Sequence, residues 1–269
     1  MSSPLRGRSR RCVFLGYHSV TEDGPPYLSL RPETFRRQLD LLAGAGFRSG
    51  TRDVLERLAG GERPSGRYAF LTFDDGFLDT ATAAMPLMSE RGLTGMAFVL
   101  PGHLDRGAAL AWPEVAGEAA RRPRLMRSMD WSMLETLIEA GWEVGSHTMS
   151  HARLPELSDE ALAQELLDSR RTLEARLGRC DLLAYPFGAW DERVARAAAA
   201  AGYSFAFTLP FGGQSGATRM SIPRVTVDDR DSPWRFRAKL SGVGRATLFS
   251  PLRPAVRRML RKRPHSHAE

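Results

Sequence analysis

The sequence predicts a parallel α/β fold built as one large domain. Short apolar runs alternate with amphipathic helical stretches, the pattern of strand–helix–strand units whose strands lie side by side in one direction. At least seven such runs fall between Val13 and Val227. A length of 269 residues with 42% apolar content also suits a single α/β barrel domain, for which roughly 250 residues is typical.

The elements follow in order. Val13–Tyr17 is an apolar strand. Phe35, Leu39 and Leu42 at helical spacing predict a helix over Pro32–Ala45, stopped by Gly46. Thr51 stands where it would cap a short helix containing Val54, Leu55 and Leu58. Tyr68–Phe73 is the next strand, and Phe77–Arg91 a helix kinked near Pro86 and ended by Gly92. Met96–Leu100 is a strand. The long, mixed segment Gly102–Met129 reads as an insertion over one face. Ser132–Ala140 is a helix ended by Gly141, and Trp142–Gly145 a strand. Ser158 caps a long helix that runs to Leu177 and closes at Gly178. Leu182–Tyr185 is a strand, Asp191–Ala201 a helix closed by Gly202, and Ser204–Leu209 and Ser221–Val227 are the last strands. No internal repeat is evident.

The net charge of +7 is unevenly spread. Residues 1–11 hold four arginines, and residues 235–269 hold ten Lys/Arg against one Glu, which leaves 24 basic and 30 acidic residues between them. The predicted organisation is therefore a basic arm (1–11), a slightly acidic domain (12–234) and a basic extension (235–269). This distribution argues against nucleic acid as a partner and for basic ends that meet an acidic surface. The extension interleaves Phe236, Leu240, Leu248, Phe249 and Leu252 with its cations, and Pro254–Lys262 is expected to form a short basic amphipathic helix. Segments of that kind bind anionic lipid. No run of 18 apolar residues occurs, and Met1–Arg11 lacks the apolar region of a signal peptide. The expectation is a cytoplasmic protein, peripheral at the inner face of the membrane. Cys12 and Cys180 make no disulfide framework and read as reduced, buried thiols.

Chemistry-bearing residues gather where strands end. His18 follows the first strand, Asp74 and Asp75 the second, His147 the strand Trp142–Gly145, and Pro186–Gly188 the strand Leu182–Tyr185. In α/β barrels these C-terminal strand ends form the active face. Adjacent carboxylates at Asp74-Asp75-Gly76 repel each other unless something positive holds them; alone, the run reads equally as an Asp-Gly turn with a helix cap. The spacing His147-Thr148-Met149-Ser150-His151 would set two imidazoles on one side of a helical turn, suited to one metal ion. A lone pair of histidines is more often structural. Together the motifs are sharper, because two His and one Asp form a ligand set with open positions, and the second Asp is free to act as a base.

These residues resemble the polysaccharide deacetylases of the NodB-homology family, carbohydrate esterase family 4. Leu71–Gly76 (LTFDDG) is similar to the family's first motif, His147–His151 (HTMSH) to its second, and Ala184–Gly188 (AYPFG) to its third, with the likeness covering roughly residues 12–227. The resemblance implies an irregular (β/α)7 barrel. It implies that Asp75, His147 and His151 bind a divalent metal, best suited to zinc, that Asp74 is the general base, and that the Phe187 backbone N–H stabilises the oxyanion. It implies an N-acetylated glycan or glycoconjugate as substrate. Two departures stand out. The usual Arg of the third motif is Ala184, for which Arg224 is the candidate replacement. The late histidine that serves as general acid is missing, since only His265 and His267 follow His151. The run Gly16-Tyr17-His18-Ser19-Val20 instead resembles a permuted branch that includes bacterial poly-N-acetylglucosamine deacetylases, which makes His18 the candidate acid. Trp112, Trp131 and Trp190 are available to stack on sugars. The rival readings are an amidase or imidase acting on a small non-sugar amide, and a weakly catalytic glycan-binding module.

Overall fold

The computed structural model describes residues 11–25, 27–104, 109–209 and 218–241. The basic arm before Arg11, the expected helix Pro254–Lys262, and His265 and His267 lie outside them. The strands are β1 (Cys12–Tyr17), β2 (Ser19–Val20), β3 (Ser29–Leu30), β4 (Phe47–Ser49), β5 (Arg67–Phe73), β6 (Met96–Val99), β7 (Glu143–Ser146), β8 (Leu182–Ala184), β9 (Phe205–Thr208), β10 (Ile222–Pro223) and β11 (Val225–Thr226). The helices are α1 (Pro32–Gly44), α2 (Arg52–Ala59), α3 (Met85–Ser89), α4 (Ala116–Arg121), α5 (Trp131–Glu139), α6 (Asp159–Leu177), α7 (Glu192–Ala200) and α8 (Pro233–Leu240).

All pairings in the main sheet are parallel, in the order β10-β9-β8-β7-β6-β5-β1-β11. β10 and β11 are consecutive pieces of one stave on either side of Arg224. β10 pairs with β9 and β11 with β1, so this stave closes the sheet into a barrel of seven staves. The sequence predicts a single strand over Ser221–Val227. It breaks at Arg224 because the chain changes partner there: the Arg224 amide donates to Thr208, and the Val227 amide donates to Gly16 across the other edge.

The period-2 alternation of strands sorts the side chains. Phe70 of β5 belongs to an inner cluster with Phe98, Phe205 and Phe207, against which Phe14 packs, while Val13, Leu15, Ala69, Leu71 and Phe73 join the larger core beneath the helices. Phe14 and Phe70 stack at 4.3 Å, and Phe98 meets Phe207 at 5.2 Å. Aromatic rings therefore fill the barrel.

Two local expectations change. The helix expected over Phe77–Arg91 starts at Leu78 and widens into a π turn (Thr80–Ala84) that passes into α3. Pro86 has no N–H to donate, and a wider turn before a proline absorbs the missing bond; Phe77 itself bridges to Ser128. Thr51 precedes α2 but makes no side-chain cap, whereas Ser158 caps α6 through the Ala161 amide. Gly178 closes α6 at φ 77°, a left-handed position that favours glycine.

Candidate metal centre and active site

The loop after β5 solves the problem of two adjacent carboxylates by backbone conformation. Asp75 has φ 69° and Gly76 φ 74°. Two successive left-handed residues turn the chain sharply, and the neighbouring carboxylates reach different partners. Asp74 meets Arg224, whose Nη1 and Nη2 donate to the two carboxylate oxygens at 2.6 and 2.7 Å. The same Nη1 donates to Thr72 Oγ1 at 2.9 Å. Arg224 is 1% exposed, with its guanidinium above Phe98 and Phe207. Asp75 meets the histidines: its Oδ1 lies 3.3 Å from His147 Nε2 and 3.4 Å from His151 Nε2.

The HTMSH segment is a loop, not the helical turn the spacing suggests. Thr148 and His151 both have positive φ, 72° and 67°, and alternation of ordinary and left-handed residues folds the two rings together where a helix would have stacked them. The loop is held by its own side chains and neighbours. The Thr148 amide donates to Ser146 Oγ, the His151 amide to Thr148 Oγ1, and the Ser150 amide and hydroxyl to Glu165 of α6. Phe187, φ 59°, is the fourth non-glycine residue in this region of backbone space among the described residues. All four lie in the motif loops, and such strain persists only where surrounding contacts enforce it.

The residues fit a metal ion. One ligand atom each from Asp75, His147 and His151 falls within 4.8 Å of the others, and all three residues are buried. His147 Nδ1 lies 2.8 Å from the Ala184 carbonyl, which can only accept, so Nδ1 carries a proton and Nε2 is the nitrogen turned to Asp75. A buried carboxylate oxygen 3.3 and 3.4 Å from two imidazole nitrogens needs a proton or a cation between them, and a metal ion meets that need for all three. The His151 ring is fixed between Trp112, stacked at 4.1 Å, and Phe187, edge-on at 4.6 Å.

Burial pushes both carboxyls toward the neutral form, but their neighbours prevail. Asp74 is held below the usual carboxylate range by Arg224, with His147 and His18 adding to it. Asp75 is held well below that range by His147 and His151. Burial also favours neutral imidazoles; it prevails at His151, whereas Asp74 and Asp75 raise His147.

His18 follows β1 half-buried, within electrostatic reach of both carboxylates. The structure thus gathers Asp74, Asp75, His147, His151, Phe187, Arg224 and His18 at one mouth. Trp112 is buried as a wall of the His151 site and offers no open platform. Trp190 stacks on Tyr185 and Trp131 lies beneath Arg176, each partly buried against the main core. The insertion covers one side with a satellite core of Phe77, Leu100, Leu110, Trp112, Val115 and Met126. It is pinned to the Asp-Asp-Gly loop by the Met129 amide on the Gly76 carbonyl. Sequence reasoning missed Trp112 as a wall of the site and Thr72 as a partner of Arg224. Only Thr72 carried a signal, two residues before Asp74 on the same side of the strand.

Comparison with known proteins agrees with this geometry. A model of the polysaccharide deacetylase family matches residues 61–206. YxkH of Bacillus subtilis (strain 168) is 22% identical over 232 residues, which span 85% of this chain and 76% of that protein. Among solved structures, IcaB from Ammonifex degensii superposes with a TM-score of 0.71 at 23% identity, covering 88% of this chain and 98% of that one. The Streptococcus pyogenes deacetylase PplD gives 0.70 at 20% identity, covering 86% and 98%. The fold is that of the NodB-type barrel, and with more than half of its length matched by the family model the chain belongs to the polysaccharide deacetylase family and is a carbohydrate N-deacetylase, a hydrolase of carbon–nitrogen bonds.

Proposed function

We propose that this deacetylase is metal-dependent, that it removes N-acetyl groups from a glycan or glycoconjugate, and that Asp74, His18, Phe187 and Arg224 serve the reaction around a centre formed by Asp75, His147 and His151. The observation that carries the reading is the division of labour between adjacent carboxylates. Asp75 faces two imidazoles, whereas Asp74 is kept ionised by a buried bidentate arginine.

A divalent ion held by Asp75, His147 and His151, zinc by the ligand types, would supply Lewis-acid polarisation of the acetamide and a lowered pKa for water. The rest falls to the chain. Asp74 takes the proton of the attacking water on its carboxylate. Arg224 keeps that carboxylate charged until then and fixes its plane. The Phe187 N–H donates to the oxyanion of the tetrahedral intermediate. His18 donates a proton to the departing nitrogen, because an amine leaves poorly without one. The products are a free amino sugar and acetate.

Acetate release from a panel of N-acetylated polymers, oligosaccharides and lipid-linked sugars, after chelation and with zinc or another divalent ion restored, tests the reading. Release should require the ion. Full activity of the chelated protein would overturn metal dependence, and turnover confined to small non-sugar amides would make the protein an amidase.

We propose further that the enzyme works in the cytoplasm, at an anionic lipid surface reached through the basic residues 235–269. In support, Trp234 of α8 is 71% exposed beside exposed Arg235 and Arg237, an aromatic and cationic combination suited to headgroups. Co-sedimentation with anionic vesicles should weaken with salt and disappear when residues 235–269 are removed. Binding that ignores lipid charge would refute it.

A further inference from the structure

Asp79 lies outside the motif residues, and the proposed chemistry leaves it without a task. It follows Asp75 by one turn of chain, yet its carboxylate reaches back to β2, the two-residue strand directly after His18. Ser19 Oγ donates to Asp79 Oδ2 at 2.5 Å, and the Val20 amide donates to Oδ1 at 2.9 Å. Ser19 and Val20 are 2% and 1% exposed. Both carboxylate oxygens are thus spent on the two residues that follow His18, one through a side chain and one through the backbone.

The surroundings give this clamp leverage. β1 ends at Tyr17, where it still pairs with Phe73 of β5. His18 is the single residue between β1 and β2, so its backbone is fixed from one side by the barrel and from the other by Asp79. β2 gains only the parallel partner β3, a two-residue strand that belongs to no larger sheet. The bonds from Ser19 and Val20 to Asp79 tie β2 to the chain that continues from the Asp74–Asp75 loop.

We propose that Asp79 is a positioning residue for His18. By holding Ser19 and Val20 it couples the candidate acid to the same chain segment that carries the base and the metal ligand, so that proton donor and base keep one register. The inference rests on the acid role of His18. Asp79 touches no reacting atom and acts through the peptide that carries the imidazole. The requirement is for two acceptors at fixed points, or one acceptor and one group able to pair with a hydroxyl. An asparagine meets it: its oxygen accepts from Val20 and its amide donates to Ser19 Oγ.

A double-mutant cycle on the metal-loaded enzyme tests this, with turnover measured on an acetamide sugar and on an activated aryl acetate. A misplacement of about 1 Å at a reacting group costs up to about 100-fold, so Asp79→Ala should lose about 10- to 100-fold on the acetamide. It should lose much less on the aryl ester, whose leaving group needs no proton. Asp79→Asn should recover most of that loss. Ser19→Ala, which deletes one arm of the clamp and spares the backbone bond, should show a smaller loss with the same leaving-group dependence, and it serves if Asp79→Ala folds poorly. In a His18→Ala background, Asp79→Ala should cost nothing more. Equal losses on both substrates, or additive losses in the double variant, would overturn the positioning role. If His18→Ala itself affects amide and ester alike, the acid assignment fails, which is a separate outcome read from the single variant.

Discussion

At the scale of single residues, two adjacent aspartates meet different partners, and the proposed chemistry gives them opposite tasks. Asp74→Asn should keep the metal and lose turnover by about 100-fold or more, the usual scale for a general base. Asp75→Asn should lose metal as well as turnover. Metal content measured on both variants beside acetate release decides the assignment, and loss of metal from Asp74→Asn alone would reverse the pair. A second residue-level expectation concerns pH. Burial raises the Asp79 carboxyl to about 6 against the pull of its Ser19 and Val20 donors. A carboxyl with a raised folded value contributes stability that is complete below its unfolded value, near 3.9, and is lost as pH rises through the folded value. Asparagine does not titrate. In metal-free protein the melting temperature of Asp79→Asn relative to the parent should therefore climb between about pH 4 and pH 7. A difference that is flat or falls across that window would mean that Asp79 ionises freely.

At the scale of elements, each functional loop inherits its position from the strand before it. β7 shows how little room the barrel leaves. A Cβ on Gly145 would stand 2.7 Å from Phe98 and 2.8 Å from the Leu182 carbonyl, one a ring of the inner core and the other a backbone atom of the next stave. Gly145→Ala should cost about 1–3 kcal/mol through overpacking. It should also weaken metal binding, since His147 begins two residues later; denaturant melts and metal titration on the same sample check both. The strands were legible because apolar runs and their end residues obey local rules. His18, Asp74, Asp75 and His147 could be placed at strand ends from sequence alone. β2, β3 and β4 were not, since two or three residues carry no period. The HTMSH loop misled for a physical reason. Spacing encodes where side chains would fall in a helix, but the positive φ of Thr148 and His151 is held by Ser146 beside the motif together with Glu165 and Trp112, which are distant in sequence. The break at Arg224 was hidden similarly, because an apolar run does not reveal that its two halves pair with different neighbours.

For the whole molecule, the proposed ligands follow β5 and β7, with β6 between them, and the insertion covers one side. Metal should thus stabilise the folded chain by mass action, by about 2.7 kcal/mol at a free concentration 100 times the dissociation constant. Thermal melts with and without chelator should differ accordingly, and His147→Ala should abolish the difference. A melting temperature indifferent to chelator would count against a bound ion.

The stave that closes the barrel is also the one that brings Arg224 to Asp74. Closure and the charge state of the proposed base are therefore one event. A chain whose seam has opened, with β5, β6 and β7 still together, could keep all three metal ligands and yet present a buried carboxylate with no counter-cation, which would take up a proton and cease to be a base. The seam works as an interlock: metal occupancy alone does not report an armed enzyme. On gentle denaturation, activity should vanish in step with hydrogen exchange at Arg224 and Val227, ahead of metal release.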